Sequence, residues 1–295
     1  MSDTALIGGT GFLGKRVAEN MARRQALRGR VRAMVRDPGK AGRLRELGFE
    51  LVQGDLTSAE SVRAALDGCD ALVATPGLKL GHTPTLLRAV AGTSVERGVF
   101  VSTAGIFQSL ELQIKTTVLH AEDLIRNSGL GYSILRPTMI YGTSDDVNIH
   151  KLIAFVARFG FFPVLGSPDH LQQPVHVEDV ADAVVAALLE PAAVDRSYDL
   201  SGAEALPFRQ MLDIVGQAVG RSVRRATVPL PVALAAARAF SLLPRRPFTV
   251  GQVLRNNEDK SLPHDAAARD LEFRPMGFEA GVRKQVAEMR GEGLI

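Results

Sequence analysis

Thr4-Ala5-Leu6-Ile7-Gly8-Gly9-Thr10-Gly11-Phe12-Leu13-Gly14 decides the fold of this chain. A short apolar strand runs straight into Gly-x-x-Gly-x-x-Gly and then, from Lys15 to Leu27, into a helical pattern. Without a Cβ, Gly8 lets the backbone bend sharply, Gly11 lets a diphosphate approach, and Gly14 lets the helix pack against the strand. The first-turn N–H groups and the positive dipole end of that helix then face an anion. This is the pattern of a dinucleotide-binding turn, with cofactor contacts expected at Gly8, Thr10, Gly11, Phe12, Leu13 and Gly14.

Moving outward, short β-rich runs alternate with amphipathic segments. Strands are expected at Thr4–Ile7, Val31–Val35, Glu50–Gln53, Ala71–Ala74, Val99–Ser102 and Tyr132–Leu135. Helices are expected near Lys15–Leu27, Lys40–Leu47, Ala59–Leu66, Thr85–Arg97 and Glu111–Asn127. Ser58 or Thr57 is placed to cap the third of these helices. The alternation demands parallel strands with right-handed crossovers, an α/β doubly wound parallel sheet of Rossmann type.

After Pro137 loops lengthen, and helices are expected at Ile149–Phe159, Val177–Leu189, Pro207–Val219, Pro231–Leu242 and Phe278–Met289. The reading is a dinucleotide-binding domain over 1–147 and, over 148–295, mainly a smaller interwoven substrate lobe. Segments near 174–202, with strands at Val175–Val177 and Ser197–Leu200, return to complete the sheet.

Cofactor choice follows from the end of the second strand, where an acid selects a ribose 2′-hydroxyl and a cation a 2′-phosphate. Val31–Val35 ends at Arg36, with Lys40 and Arg43 nearby, so NADP(H) is favoured. Asp37 would instead reach a ribose if the strand ran one residue further. Asp55, with Leu56 beside it, either reaches the adenine amine from the end of the third strand or caps the next helix. Thr75 and Pro76 follow the fourth strand and line the same crevice, and Thr103 and Pro137 complete the set of cofactor contacts.

Composition sets limits. At 295 residues and 46% hydrophobic the chain buries one large core or a core plus a lobe. A formal charge of only +3 argues against a nucleic-acid partner. The one cysteine, Cys69, excludes an internal disulfide or a cysteine zinc site; a cysteine buried as a small apolar side chain fits it, and no metal is expected. The chain opens directly into its first strand, and the cytoplasm is the expected location. Val228–Leu243, flanked by Arg224-Arg225 and Arg245-Arg246, is too short to span a bilayer. It either covers the lobe or lies flat on an anionic membrane with Leu234, Phe240 and Leu243 inserted, which would make the protein peripheral to the inner membrane.

The chain resembles the extended and atypical short-chain dehydrogenase/reductase superfamily over nearly its whole length. The matching pieces include the glycine turn, Val35-Arg36-Asp37-Pro38, Gly54-Asp55-Leu56, Val99-Phe100-Val101-Ser102-Thr103, Leu135-Arg136-Pro137, Pro174-Val175-His176-Val177 and Tyr198-Asp199-Leu200-Ser201-Gly202. Within it the chain looks most like the branch of NmrA-like proteins and the nucleotide-binding accessory subunit of respiratory complex I. The resemblance implies a catalytic Ser/Thr, matched by Thr103, and a Tyr-x-x-x-Lys pair. Ala121-Glu122 fixes the register and puts Ile114 and Val118 at the tyrosine and lysine positions, where neither can move a proton. Tyr141, after the sixth strand, is the preferred substitute; Lys115 and His120 are off the expected face, and His176 is read as capping and packing.

Two functions therefore stand open. One is an NADP(H)-dependent reductase of a quinone, carbonyl or polarised alkene, with Thr103, Tyr141 or water supplying the proton to a small-molecule substrate. The other is a catalytically silent NADP(H)-binding sensor, assembly factor or accessory subunit. A sugar-nucleotide epimerase needs the missing tyrosine.

Overall fold

The alternating pattern folds around a seven-stranded sheet in which all neighbours run parallel. The structure is a computed structural model and describes residues 3–24, 29–108, 112–241 and 248–295. The first six strands are β1 (Thr4–Ile7), β2 (Val31–Val35), β3 (Glu50–Gln53), β4 (Ala71–Ala74), β5 (Arg97–Val101) and β6 (Gly131–Pro137). The later ones are β7 (Ile140–Tyr141), β8 (Phe161–Leu165), β9 (Leu171–Gln172), β10 (Val175–His176), β11 (Arg196–Leu200), β12 (Leu206–Pro207) and β13 (Arg224–Val228). Sheet order is β11-β6-β5-β4-β1-β2-β3. The chain leaves β1 toward β2 and β3 on one side and later returns to β4 on the other. The crevice at that reversal, beyond the carboxyl ends of the strands, is where such sheets bind ligands.

Side chains alternate between two cores. Leu6, Ala33, Val35, Val73, Val99 and Leu135 face α1 (Phe12–Arg23), α2 (Gly42–Glu46) and a helix from the second half. Ala5, Ile7, Met34, Leu72, Phe100 and Ile134 face α3 (Ala59–Leu66), α4 (Thr83–Val90) and α5 (Leu112–Arg126). The central strands β1 and β4 are buried at every residue, as a parallel strand covered on both faces must be.

The second half supplies α6 (Ile149–Phe159), α7 (Val177–Leu189), α8 (Phe208–Val219), α9 (Leu230–Phe240), α10 (Val250–Asn256), α11 (Asp265–Asp270) and α12 (Phe278–Gly291). Of these, α7 belongs to the sheet: Val180, Ala181, Val184 and Ala187 are fully buried against it, and each buried valine contributes about 1.5–3 kcal/mol. The lobe has its own core, in which Ile149, Ile153 and Val156 of α6 meet Met211 and Val215 of α8 and Val282 and Val286 of α12. A satellite cluster joins α9 to α10 through Ala233, Ala237 and Val253.

Several boundaries differ from the sequence reading. Helix α1 begins at Phe12, directly on the glycine turn, and Gln25–Leu27 lie outside the described residues. The Lys40–Leu47 segment divides: Asp37 caps a 3-10 turn at Pro38–Lys40, and α2 starts afterwards. Only β11 of the returning segments joins the main sheet; Val175–His176 pairs with β7 in a separate two-stranded ladder. Ser58 caps α3, accepting from the Ser61 N–H at 3.2 Å.

Candidate functional site: a crevice across the switch point

A crevice of about 690 Å³ lies across the carboxyl ends of β1 to β6. It gathers every residue expected to contact a cofactor: Gly8, Thr10, Gly11, Phe12, Leu13 and Gly14 from the glycine turn, Arg36 after β2, Asp55 and Leu56 after β3, Thr75 and Pro76 after β4, Thr103 after β5, and Pro137 of β6. Among the described residues Arg36 and Lys79 line it against a single carboxylate, Asp55, so its charge suits a phosphate-bearing ligand.

The turn itself fits a diphosphate. Gly8 has φ +86°, and a Cβ there would lie 2.5 Å from Thr75 Oγ1. At Gly14 a Cβ would lie 2.0 Å from the Gly8 carbonyl oxygen, so the first turn of α1 packs directly on the loop that precedes it. Gly11 is the N-cap and has no side chain to satisfy the first-turn amides. Those donors are left for a ligand.

After β2, Arg36 lines the crevice, whereas Asp37 turns away and accepts from the Gly39 N–H at 2.9 Å. Asp37 is therefore committed to the 3-10 turn and not to a ribose. Lys40 sits 3.9 Å from Asp37, and Arg43 pairs with Glu19 and Glu46. Neither of these expected second cations reaches the crevice. The one that does is Lys79, together with His82, both from the loop after β4. Their signal in sequence is weak, because Leu78–Leu80 forms a 3-10 turn whose direction depends on its packing against α5. Asp55 caps no helix. It accepts from the N–H and the hydroxyl of Thr57 at 2.8 and 2.7 Å, and those bonds hold its carboxyl below the usual range.

At the β5–β6 end, the chemistry turns on which hydroxyl protons are free. Thr75 donates to the Ile7 carbonyl, Ser102 to Glu122 at 2.6 Å, and Thr138 to the Gln173 carbonyl at 2.6 Å. Thr103 differs: its oxygen accepts from the Gly105 N–H at 3.1 Å, and its own proton has no acceptor among the described residues. The positions of the absent pair are apolar, and neither lines the crevice. Val118 is fully buried, Ile114 packs against the same cluster, and Leu78 belongs to it too. Neither Lys115 nor His120 lines the crevice.

Tyr141 must be withdrawn as the substitute acid. It lies outside the crevice, fully buried in the lobe core, with its hydroxyl 3.5 Å from the Phe278 carbonyl and its ring edge-on to His176. Burial pushes its pKa well above the ordinary tyrosine value. His176 caps α7, its Nδ1 accepting from the Glu178 N–H at 3.3 Å, and burial pushes its pKa down to about 4. It is neutral at physiological pH and serves as cap and packing.

Sequence reasoning used Glu122 for register only, yet it is the centre of a buried polar network. It is fully buried, accepts from Ser102, and receives Arg136 Nε at 2.9 Å and Nη2 at 2.6 Å and Arg126 at 2.6 Å. Burial alone would raise its carboxyl, but the bonds from Arg136, Ser102 and Arg126 outweigh that and hold it below the usual range. Glu122 thereby ties the residue before Thr103 to the one before Pro137.

The family whose description is NAD(P)H-binding matches residues 8–191, more than half of the chain. The chain belongs to that family. This NAD(P)H-binding protein is 28% identical over 181 residues to subunit 9 of the mitochondrial NADH dehydrogenase (ubiquinone) 1 alpha subcomplex of Arabidopsis thaliana, covering 60% of this chain and 44% of that one. It thus spans less than half the length of that relative. It is 25% identical to an NAD(P)H azoreductase of Xenophilus azovorans, covering 76% of this chain and 77% of the other. An NADPH-dependent quinone oxidoreductase of Escherichia coli superposes with a TM-score of 0.75 at 18% identity over 97% and 99% of the two chains, a likeness of fold. The NAD(P)H-binding protein accordingly has a Rossmann-type fold, and the atypical short-chain branch fits it.

Proposed function

We propose that this chain is an NADPH-dependent reductase whose acceptor is a quinone, a carbonyl compound or a polarised alkene. The observation that carries the reading is the Thr103 hydroxyl, whose proton has no acceptor among the described residues, in a crevice that neither Ile114 nor Val118 lines. When bound, the dihydronicotinamide supplies the hydride. An electron-poor acceptor then needs only a donor for the oxygen or carbon-bound group that gains charge. Thr103, its oxygen polarised by the Gly105 N–H, offers that donor, and water completes the protonation. Preference for the phosphorylated cofactor is assigned to Arg36, the crevice-lining cation at the end of β2. The azoreductase relative supports a reductive role, since its name describes reduction of an electron-poor nitrogen acceptor.

The experiment is NADPH consumption with a small quinone, an activated ketone and a secondary alcohol run in reverse. The quinone is expected to turn over and the alcohol not to be oxidised. Thr103→Val should lower kcat about 100-fold with little change in cofactor affinity, and Thr103→Ser should restore it. Full activity in Thr103→Val, or brisk alcohol oxidation, contradicts the proposal. The apolar side chains at Ile114 and Val118 also favour a second reading, a catalytically silent cofactor-binding protein. Tight NADPH binding by calorimetry without turnover of any acceptor class selects it.

A further inference from the structure

Charge is not spread evenly over this chain. Residues 147–168 contain Lys151 and Arg158 and no carboxylate; residues 214–257 contain seven arginines and no carboxylate. With the chain at +3 overall, those nine positive charges leave −6 on everything else. The fold brings the two stretches together, because β8 from the first pairs in parallel with β13 from the second.

At the start of that ribbon, Phe159 and Phe161 are 50% and 39% exposed, and Phe155 supports both rings from behind at 4.7 and 5.5 Å. Arg158 lies 5.2 Å from the Phe159 ring centre, Arg224 is the register partner of Phe161, and Arg221 lies over Gly160 between them. Along the same ribbon face Pro163 pairs with Ala226, both exposed. Arg158, Arg221 and Arg224 have no carboxylate partner among the described residues; of the arginines on β13, Arg225 alone is paired, with Asp213 at 2.9 Å.

We propose that this face, the Phe159–Phe161 turn with Arg158, Arg221 and Arg224, docks on an anionic phospholipid surface. Exposed phenylalanines insert among acyl chains while arginine heads remain with phosphates, and each basic residue near such a surface is worth about five-fold in partition. The apolar groups between the cations are rings and a prolyl face with no amide or hydroxyl to read a base edge, which separates the patch from a nucleic-acid groove. A second copy is disfavoured by charge, because an isologous contact would press two carboxylate-free basic faces together. The site differs from the insertion set of the sequence reading. Leu234 of α9 packs against the satellite cluster and the Phe240 ring stands edge-on to Phe248 at 5.4 Å, Leu243 lies outside the described residues, and the carboxylate-free stretch that holds α9 also carries Val232, 56% exposed, and Arg238. The inference stands independently of the reductase reading.

The test is sedimentation of the full chain with phosphatidylcholine vesicles, with and without phosphatidylglycerol. Binding is expected only with phosphatidylglycerol and is expected to fall at high salt. Arg221→Gln with Arg224→Gln should weaken it about five-fold per charge removed, and Phe159→Ser with Phe161→Ser should abolish it at unchanged net charge. Both variants should keep NADPH binding by calorimetry, since none of these residues lines the crevice. No binding, equal binding to both vesicles, or unchanged binding by both variants overturns the proposal. So does preferential retention of an oligonucleotide, or a dimer that the phenylalanine variant dissociates.

Discussion

Arg36 carries the most specific consequence of any single side chain. Among the described residues it is the only cation between β2 and β3 that lines the crevice, and Asp37 is already spent on its own turn. Arg36→Asp should therefore weaken NADPH by about 10–100-fold and raise the relative affinity for NADH; titration calorimetry with both cofactors measures it, and equal affinities in the parent protein refute it. That Arg36 would line the crevice was legible because a position at a strand end depends on a few neighbouring residues. The place of Thr103 in that lining was legible for the same reason. Tyr141 was not. Its side chain is taken up by α12, where a Cβ at Gly281 would lie 2.0 Å from the tyrosine hydroxyl, and a partner 140 residues away leaves no mark near position 141.

Among elements, the joint between α5 and the ends of β5 and β6 is the most sharply testable. Glu122 is buried with two arginines and a serine on its carboxylate. Glu122→Gln leaves Arg136 short of a buried counter-charge and should cost about 3 kcal/mol in a denaturant titration. Because the folded carboxyl is held below its unfolded value, its stabilisation is complete above the unfolded pKa and is lost as pH falls through the folded one. The parent should therefore lose stability on acidification below about pH 4 more steeply than Glu122→Gln, and parallel curves would contradict this. Element boundaries were legible where a cap or a breaker marks them, as Asn148 and Gly160 mark α6. They failed where periodicity overran a stop: α4 ends at Val90 ahead of Gly92, φ +80°, although apolar spacing continues toward Arg97.

For the molecule as a whole, the sheet cannot be divided at residue 147. Strand β11 is its edge, paired along β6, and α7 covers one face. A 1–147 fragment exposes that face and should show no cooperative thermal transition, whereas the full chain should show one that NADPH raises; a cooperatively folding fragment refutes this. Sequence made the doubly wound layout legible through its regular alternation, but not which returning segment would reach the sheet. Val175–Val177 and Ser197–Leu200 both read as strands, and pairing in space decided between them, with β11 on β6 and β10 on β7. The separation of nine cations from a remainder at −6 has a mechanical side as well. If the Phe159–Phe161 turn docks as proposed, the unlike charge of that module and of the remainder turns the protein in the field of an anionic surface before contact is made.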